Sequence, residues 1–151
     1  MRRSDTEEFV IGAISLLSNR LARFGDTLHP DITFKQWFLL MMISRMDDED
    51  KHVRDIAEYT GTSRQNVKKM LSSLEAKGYV TSERSDKDGR ALTIELTDKA
   101  YRYFEMNDEE ATRKTNELFE PLTNAELNNL VYSLQKLSKC LDRYEDLEEE
   151  L

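Results

Sequence analysis

A single glycine, Gly61, separates two short helical patterns in the middle of the chain. The first pattern runs from Val53 to Tyr59, and glycine at position 61 suits the left-handed turn that ends a helix. The second pattern opens with the capping-box spacing of Thr62 and Gln65 and ends before Gly78. We therefore predict two helices joined by a tight turn, the second running from about Ser63 to Lys77.

A change of period follows the second helix. Residues 79–85 and 92–97 are rich in β-forming side chains, and Leu92, Ile94 and Leu96 alternate with polar neighbours. Between these runs, the Asp88-Gly89 dipeptide is a hairpin-turn signal, because glycine tolerates positive φ. The sequence therefore predicts a two-stranded ribbon directly after the second helix.

Longer helical patterns lie on both sides of this central part. Apolar residues recur at spacings of three and four over residues 6–27, and Thr33 is a predicted N-cap of the next helix. Thr97 is predicted to cap a long helix that ends before Pro121, and Thr123 opens the last helix through a capping box with Glu126. The predicted fold class is mainly α with a small β-hairpin, in one domain over residues 1–151.

Charge is distributed unevenly along the sequence. The 151 residues carry a formal net charge of −8, which by itself argues against a nucleic-acid partner. Between Thr62 and Leu92, however, seven basic and four acidic side chains give +3, so the remaining residues carry −11. The positive part is thus compact and coincides with the second helix and the ribbon.

The outer face of the second helix is polar and basic. Its apolar stripe contains Val67, Met70, Leu71 and Leu74. At 100° per residue, Gln65, Lys69 and Ser72 project to the opposite side. Side chains of these types pair with base edges in the major groove and with phosphates, although helices also expose such residues to solvent alone. The predicted DNA-binding residues are Ser63, Arg64, Gln65, Asn66, Lys68, Lys69, Arg84, Lys87 and Arg90.

These motifs resemble those of one known family. "VRDIAEYTGTSRQNVKKMLSSLEAKGYV" (residues 53–80) resembles the helix-turn-helix of the MarR (multiple antibiotic resistance regulator) family, and "DGRALTIELTDKA" (residues 88–100) resembles its wing signature. "TFKQWFLL" (residues 33–40) is similar to the second helix of that family. The resemblance covers nearly the whole chain.

The resemblance implies a homodimeric winged helix-turn-helix transcriptional regulator that binds a pseudo-palindromic operator. It implies a DNA-binding lobe over residues 33–97 and dimerisation helices over 5–28 and 98–148. Residues 63–69 would face DNA, and Arg90 would be the wing-tip arginine. A small-molecule effector would release the operator, with Trp37 and Phe38 either lining its pocket or belonging to the core.

Other functions are weighed against this one. The alternative is a helical adaptor that binds protein rather than DNA. In that case the overall acidity of the chain would be the feature that serves its function. We predict no enzyme and no cofactor, since no nucleophile elbow, phosphate-cradling glycine loop or metal cluster is found. The lone Cys140 is interpreted as a small, partly buried residue of a cytoplasmic protein, and no apolar run is long enough to span a membrane.

Overall fold

A computed structural model describes residues 2–47, 51–84, 92–106 and 108–149, with side chains in the last range described for 109–143. This part of the chain contains seven helices and one two-stranded antiparallel sheet, which confirms the predicted fold class. The elements are α1 (Arg3–Asp26), α2 (Phe34–Arg45), α3 (Val53–Thr60), α4 (Arg64–Ala76), β1 (Val80–Arg84), β2 (Leu92–Leu96), α5 (Asp98–Met106), α6 (Asp108–Phe119) and α7 (Asn124–Glu149). The predicted helix from Thr97 towards Pro121 corresponds to α5 and α6, and Asn107 between them lies outside the described residues.

The chain forms two compact units, Met1–Glu110 and Ala111–Leu151. The first unit holds the hydrophobic core, which α2, α3, α4, the ribbon and α5 build together. The most deeply buried core residues of α2, α3 and α4 are Leu39, Leu40, Ile43, Ile56, Val67 and Leu74. Each of these three helices therefore buries one face in the core.

The junction between α1 and α2 is closely packed. Gly25, in the last turn of α1, is buried against the ring of Phe34, and a Cβ added at Gly25 would overlap that ring. The next residue, Asp26, accepts a hydrogen bond from the backbone N–H of Phe34 through Oδ1 at 2.7 Å. The predicted N-cap Thr33 is confirmed, and it forms a capping box with Gln36. The end of α1 is therefore fixed to the first turn of α2.

The turn between α3 and α4 forms as predicted at Gly61, whose φ is +63°. The predicted capping box of Thr62 and Gln65 is wrong by one residue, because Ser63 is the N-cap and its hydroxyl accepts from the N–H of Asn66 at 3.2 Å. Thr62 is bonded instead to the side-chain amide of Asn66, at 3.0 Å. A hydroxyl at either position can cap a helix, and the position of the turn at Gly61 places Ser63 rather than Thr62 at the start of α4.

The ribbon starts directly after α4. Gly78 has a φ of +77° and ends the helix as predicted, and the two strands pair in the register Val80–Leu96 to Arg84–Leu92. The hydroxyl and N–H of Ser82 in β1 both donate to Oε1 of Glu75 in α4, at 2.6 and 3.2 Å. These bonds attach the outer edge of the ribbon to α4. The predicted hairpin turn at Asp88-Gly89 lies outside the described residues.

Further hydrogen bonds attach the ribbon and its exit to the rest of the unit. His52, just before α3, forms an isolated antiparallel bridge with Thr93 of β2. Thr97 precedes α5 as predicted, but its hydroxyl does not cap the helix: it donates to the carbonyl of Gly78 at 2.7 Å. The polypeptide leaving the ribbon is thereby held to the end of α4.

The second unit contains most of α6 and all of α7. Thr123 and Glu126 form the predicted capping box, and hydrogen bonds from the backbone and hydroxyl of Thr123 lower the pKa of the Glu126 carboxyl. Cys140 on α7 is exposed, so its interpretation as partly buried is wrong for the single chain. Across the described ranges, no helix is both long enough and apolar enough to cross a membrane.

Candidate nucleic-acid interface

The outer face of α4 is exposed along the first two turns of the helix. Buried Val67, Leu71 and Leu74 fix the rotation of α4 about its axis, so the polar side chains must point away from the core. The exposed predicted residues are Ser63, Arg64, Gln65, Asn66, Lys68 and Lys69. The structure thus places six of the nine predicted residues together on one surface, which we call the α4 face.

The charges of the α4 face are available to a ligand. Within the described residues, Arg64, Lys68 and Lys69 form no ion pair, and the first turn of α4 contains no acidic residue. The positive end of the helix dipole adds to these cations at Ser63. The face can therefore accept phosphate oxygens at the start of α4 and present Gln65 and Lys69 to base edges.

Two members of the α4 face are already used within the protein. The Ser63 hydroxyl caps α4, and the amide nitrogen of Asn66 donates to Thr62. Both residues remain exposed, and the carbonyl oxygen of the Asn66 amide can still accept a hydrogen bond. Ser63 and Asn66 therefore stabilise the turn before α4 and are also part of the exposed α4 face.

The ribbon contributes one described residue to the candidate interface. Arg84 is the last residue of β1 and is exposed. Lys87 and Arg90 lie outside the described residues. Ser82 of the same strand is bonded to Glu75, so the strand that carries Arg84 is attached to α4.

The contacts that hold α4 in place were not predicted from the sequence. The side-chain amide of Gln36 donates to the hydroxyl of Ser73 on α4 at 3.0 Å, and Nζ of Lys77 donates to the carbonyl of Asp31 at 2.7 Å. The capping-box spacing of Thr33 and Gln36 was the one available signal for Gln36. It predicts the hydrogen bond to the N-cap, but it carries no information about a partner 37 residues further along the chain.

The two aromatic residues predicted to line an effector pocket differ in environment. Trp37 is partly buried, packs against the core and stacks on His29, with ring centroids 4.8 Å apart. Phe38 is 38% exposed. A cavity of about 240 Å³ beside His29 is lined by neither of them; its wall includes His29, Ile32 and Lys77.

His29 occupies a buried position at the α1–α2 junction, where it is 5% exposed. Burial lowers the pKa of His29, and the nearby Asp26 carboxylate opposes this shift. The hydroxyl of Tyr103 lies 3.5 Å from Nδ1 of His29, and burial together with Tyr79 and Asp31 raises the pKa of Tyr103 to about 12. The folded protein thus favours the neutral forms of both side chains.

A pH-dependent stability follows from the His29 environment. Because the pKa is lower in the folded chain, the unfolded chain binds a proton first as the pH falls below about 6.5. The free energy of unfolding should therefore decrease as the pH falls from about 6.5 towards the pKa of the folded state. Urea unfolding at pH 7.5 and 5.5 measures this change, and His29→Phe should reduce it while keeping the stack on Trp37. An equal decrease in both proteins would contradict the assignment to His29.

Helices α2, α3 and α4 followed by a β-ribbon define a winged helix-turn-helix protein. The sequence model of the MarR family matches residues 31–91, which include α2, the helix-turn-helix and β1. The matched segment of the chain is therefore similar to the MarR family of transcriptional regulators. This similarity supports the predicted class, a DNA-binding transcriptional regulator.

Two curated relatives are similar in sequence. An uncharacterised HTH-type transcriptional regulator of Bacillus subtilis, YfiV, is 28% identical over 138 residues, which are 91% of this chain and 85% of that protein. The transcriptional repressor MprA of Escherichia coli is 26% identical over 110 residues, which are 71% of this chain. The second match spans 62% of the length of MprA.

Solved structures share the fold. A MarR/EmrR family regulator from Acinetobacter sp. ADP1 matches with a TM-score of 0.77 and 24% identity, covering 91% of this chain and 97% of that one. MepR of S. aureus, in a structure of its complex with DNA, matches with a TM-score of 0.75 and 21% identity, covering 85% and 95%. At these identities the matches establish the common fold alone.

Proposed function

We propose that this regulator binds a pseudo-palindromic DNA operator as a homodimer. The observation that carries the proposal is the α4 face, on which three cations without ion-pair partners in the described residues stand beside two amide side chains. The DNA-binding lobe comprises residues 33–97. Residues 5–28 and 98–148 supply the dimer contacts. The similarity to MepR, whose structure was solved in complex with DNA, supports DNA as the partner.

The residues of the α4 face have different roles in this proposal. Gln65 and Lys69 project furthest from the core stripe and read base edges in the major groove. Arg64, Lys68 and the N-cap Ser63 lie on the flanks and contact phosphates, while Asn66 contacts either a base or a phosphate. Arg84, Lys87 and Arg90 contact phosphates or the minor groove next to the major groove that α4 enters.

A homodimer is supported by the apolar surfaces that the single chain leaves exposed. On α1, Phe9 is 68% exposed and Ile11 66%, and on α7, Val131 is 53% exposed and Leu141 56%. Monomeric proteins seldom expose such surfaces, and closed twofold pairing is the most common way to cover them. Twofold pairing also presents two α4 helices to one side of a duplex, about 34 Å apart.

Operator occupancy provides a mechanism of repression, and the similarity to the repressor MprA supports this direction of control. A small-molecule effector would release the operator if it bound a dimer geometry in which the two α4 helices no longer fit successive grooves. Trp37 and Phe38 are its proposed contacts. We place the protein in the cytoplasm, with its DNA partner.

The effector proposal has an intrinsic spectroscopic probe, because Trp37 is the only tryptophan of the chain. A compound that binds near Trp37 should change its fluorescence, raise the melting temperature and lower operator affinity. Thermodynamic reciprocity requires the operator to weaken binding of the compound by the same factor. A panel of small aromatic acids tests this, and a compound that raises the melting temperature without affecting operator binding would contradict release at this site.

Salt dependence distinguishes the operator proposal from the adaptor alternative. A selection from random duplexes should return an inverted repeat with a spacing of one duplex turn, and affinity for it should fall steeply with salt. The log–log slope should be roughly −0.9 for each phosphate contacted. Fluorescence anisotropy with a labelled duplex between 50 and 200 mM salt measures this slope. A flat response, or a selection without an inverted repeat, would favour the adaptor.

A further inference from the structure

Gln36 uses both ends of its side-chain amide. Its carbonyl oxygen accepts from the backbone N–H of Thr33 at 3.1 Å, and its nitrogen donates to the hydroxyl of Ser73 at 3.0 Å. Gln36 is only 8% exposed. The first contact belongs to the capping box of α2, whereas the second crosses to the C-terminal half of α4. The capping box alone does not require the second contact.

A second polar contact joins the same two regions. Nζ of Lys77, the C-cap of α4, donates to the carbonyl of Asp31 in the segment between α1 and α2, at 2.7 Å. Ser73 and Lys77 lie one helical turn apart. The last turn of α4 is thus bonded to residues 31–36 at two points, which resists both sliding and rotation of the helix.

The segment that holds α4 is itself held by α1. Oδ1 of Asp26 accepts from the N–H of Phe34, and the Phe34 ring packs on Gly25. A continuous series of contacts therefore runs from the last turn of α1 through the first turn of α2 to α4. No residue of this series lies on the α4 face.

We propose that Gln36 is a positioning residue, which through Ser73 fixes the orientation of α4 relative to the α1–α2 junction. The inference rests on the proposed function, in which α1 takes part in dimerisation and α4 enters the major groove. In a twofold dimer, a small rotation of α4 in each subunit changes the separation of the two helices. Gln36 then sets the half-site spacing that the dimer accepts, without touching DNA.

Ser73→Ala is the main test, because it removes the acceptor of the Gln36 amide and leaves the capping box intact. The readout is the ratio of affinities for the selected operator and for operators with one base pair added or removed between half-sites. A loss of folded protein lowers all three affinities equally, whereas a displaced α4 changes their ratio. We expect discrimination to decrease about two- to thirtyfold, the usual range for substitutions that act at a distance.

Two further variants separate positioning from stability. Thr33→Val removes the cap hydroxyl of α2 and keeps the bond from Gln36 to Ser73, so it should lower the melting temperature and leave discrimination unchanged. Gln36→Glu supplies oxygens that can accept from both Thr33 and the Ser73 hydroxyl, so it should retain discrimination. Loss of discrimination in Thr33→Val, equal to that in Ser73→Ala, would assign the effect to stability and overturn the inference.

Binding measurements on the wild-type protein distinguish a failure of the proposed function from a failure of the inference about Gln36. If it binds no duplex specifically, the proposed function is wrong and the inference falls with it. If it binds and discriminates spacing but Ser73→Ala discriminates equally well, the inference alone is overturned. Reduced discrimination in Ser73→Ala with normal discrimination in Thr33→Val and Gln36→Glu supports it.

Discussion

Replacing Arg64 and Lys69 together by alanine should weaken specific operator binding strongly while the protein stays folded. Both side chains are exposed on α4 and have no ion-pair partner in the described residues, so their loss leaves no unpaired charge in the protein. The base contact of Lys69 is worth roughly 1 to 3 kcal/mol, so its loss should weaken binding roughly 5-fold to 160-fold, and loss of the Arg64 phosphate contact should weaken it further. The log–log salt slope should also become smaller by roughly 0.9 for each phosphate contact removed.

A charge-matched control is available on α2. The double variant Lys35→Ala/Arg45→Ala also removes one lysine and one arginine from exposed helical positions. The affinity of this control for the operator should decrease only because the net charge of the protein changes. The decrease should be smaller than that of the α4 double variant. Anisotropy titrations with the selected operator and with an unrelated duplex compare the two proteins. Equal losses in both would show that net charge, rather than the α4 face, governs binding.

A methyl group at Gly25 should destabilise the protein strongly. The Cβ of Gly25→Ala would overlap the ring of Phe34, so either that ring or the end of α1 has to move. Overpacking of this kind typically costs about 1 to 3 kcal/mol, to be measured as a decrease in the free energy of unfolding in urea. Since the clash lies at the α1–α2 junction, operator affinity should also fall.

Gly12 provides the matched control, because it lies in the same helix and a Cβ there would meet no atom within 4 Å. Gly12→Ala should be neutral or stabilising by about 0.5 to 1 kcal/mol, because alanine loses less backbone entropy in a helix. Adding Phe34→Ala to Gly25→Ala should recover part of the loss, giving a non-additive double-mutant cycle. Additive effects of these two substitutions would contradict a direct clash.

Most of the local structure could be predicted from the sequence, because short-range rules determine it. Gly61 and Gly78 adopt positive φ where the patterns require it, and Thr33 and Thr123 cap the helices to which they were assigned. The errors concern residues with two equally suitable roles. Ser63 rather than Thr62 caps α4, and Thr97 donates its hydroxyl to the end of α4 instead of capping α5.

The candidate interface was predictable to the extent that it depends on helical periodicity. Once Val67, Leu71 and Leu74 are buried, the 100° rotation per residue fixes which side chains of α4 are exposed. The contacts that hold α4 were not predictable, because Gln36 and Ser73, or Asp31 and Lys77, meet only after the helices pack. Their separations of 37 and 46 residues leave no local pattern to read.

The bond from Ser82 to Glu75 has a consequence for the behaviour of the protein at high concentration. An open strand edge is a template on which a strand of another molecule can assemble, and β1 is the outer strand of a two-stranded sheet. Glu75 occupies the N–H of Ser82 and places a carboxylate against that edge. A strand from another molecule would have to displace the Glu75 carboxylate. The displaced carboxylate would then lie beside the backbone carbonyls of the incoming strand. We therefore expect this edge of the folded ribbon to resist pairing with a strand of another molecule.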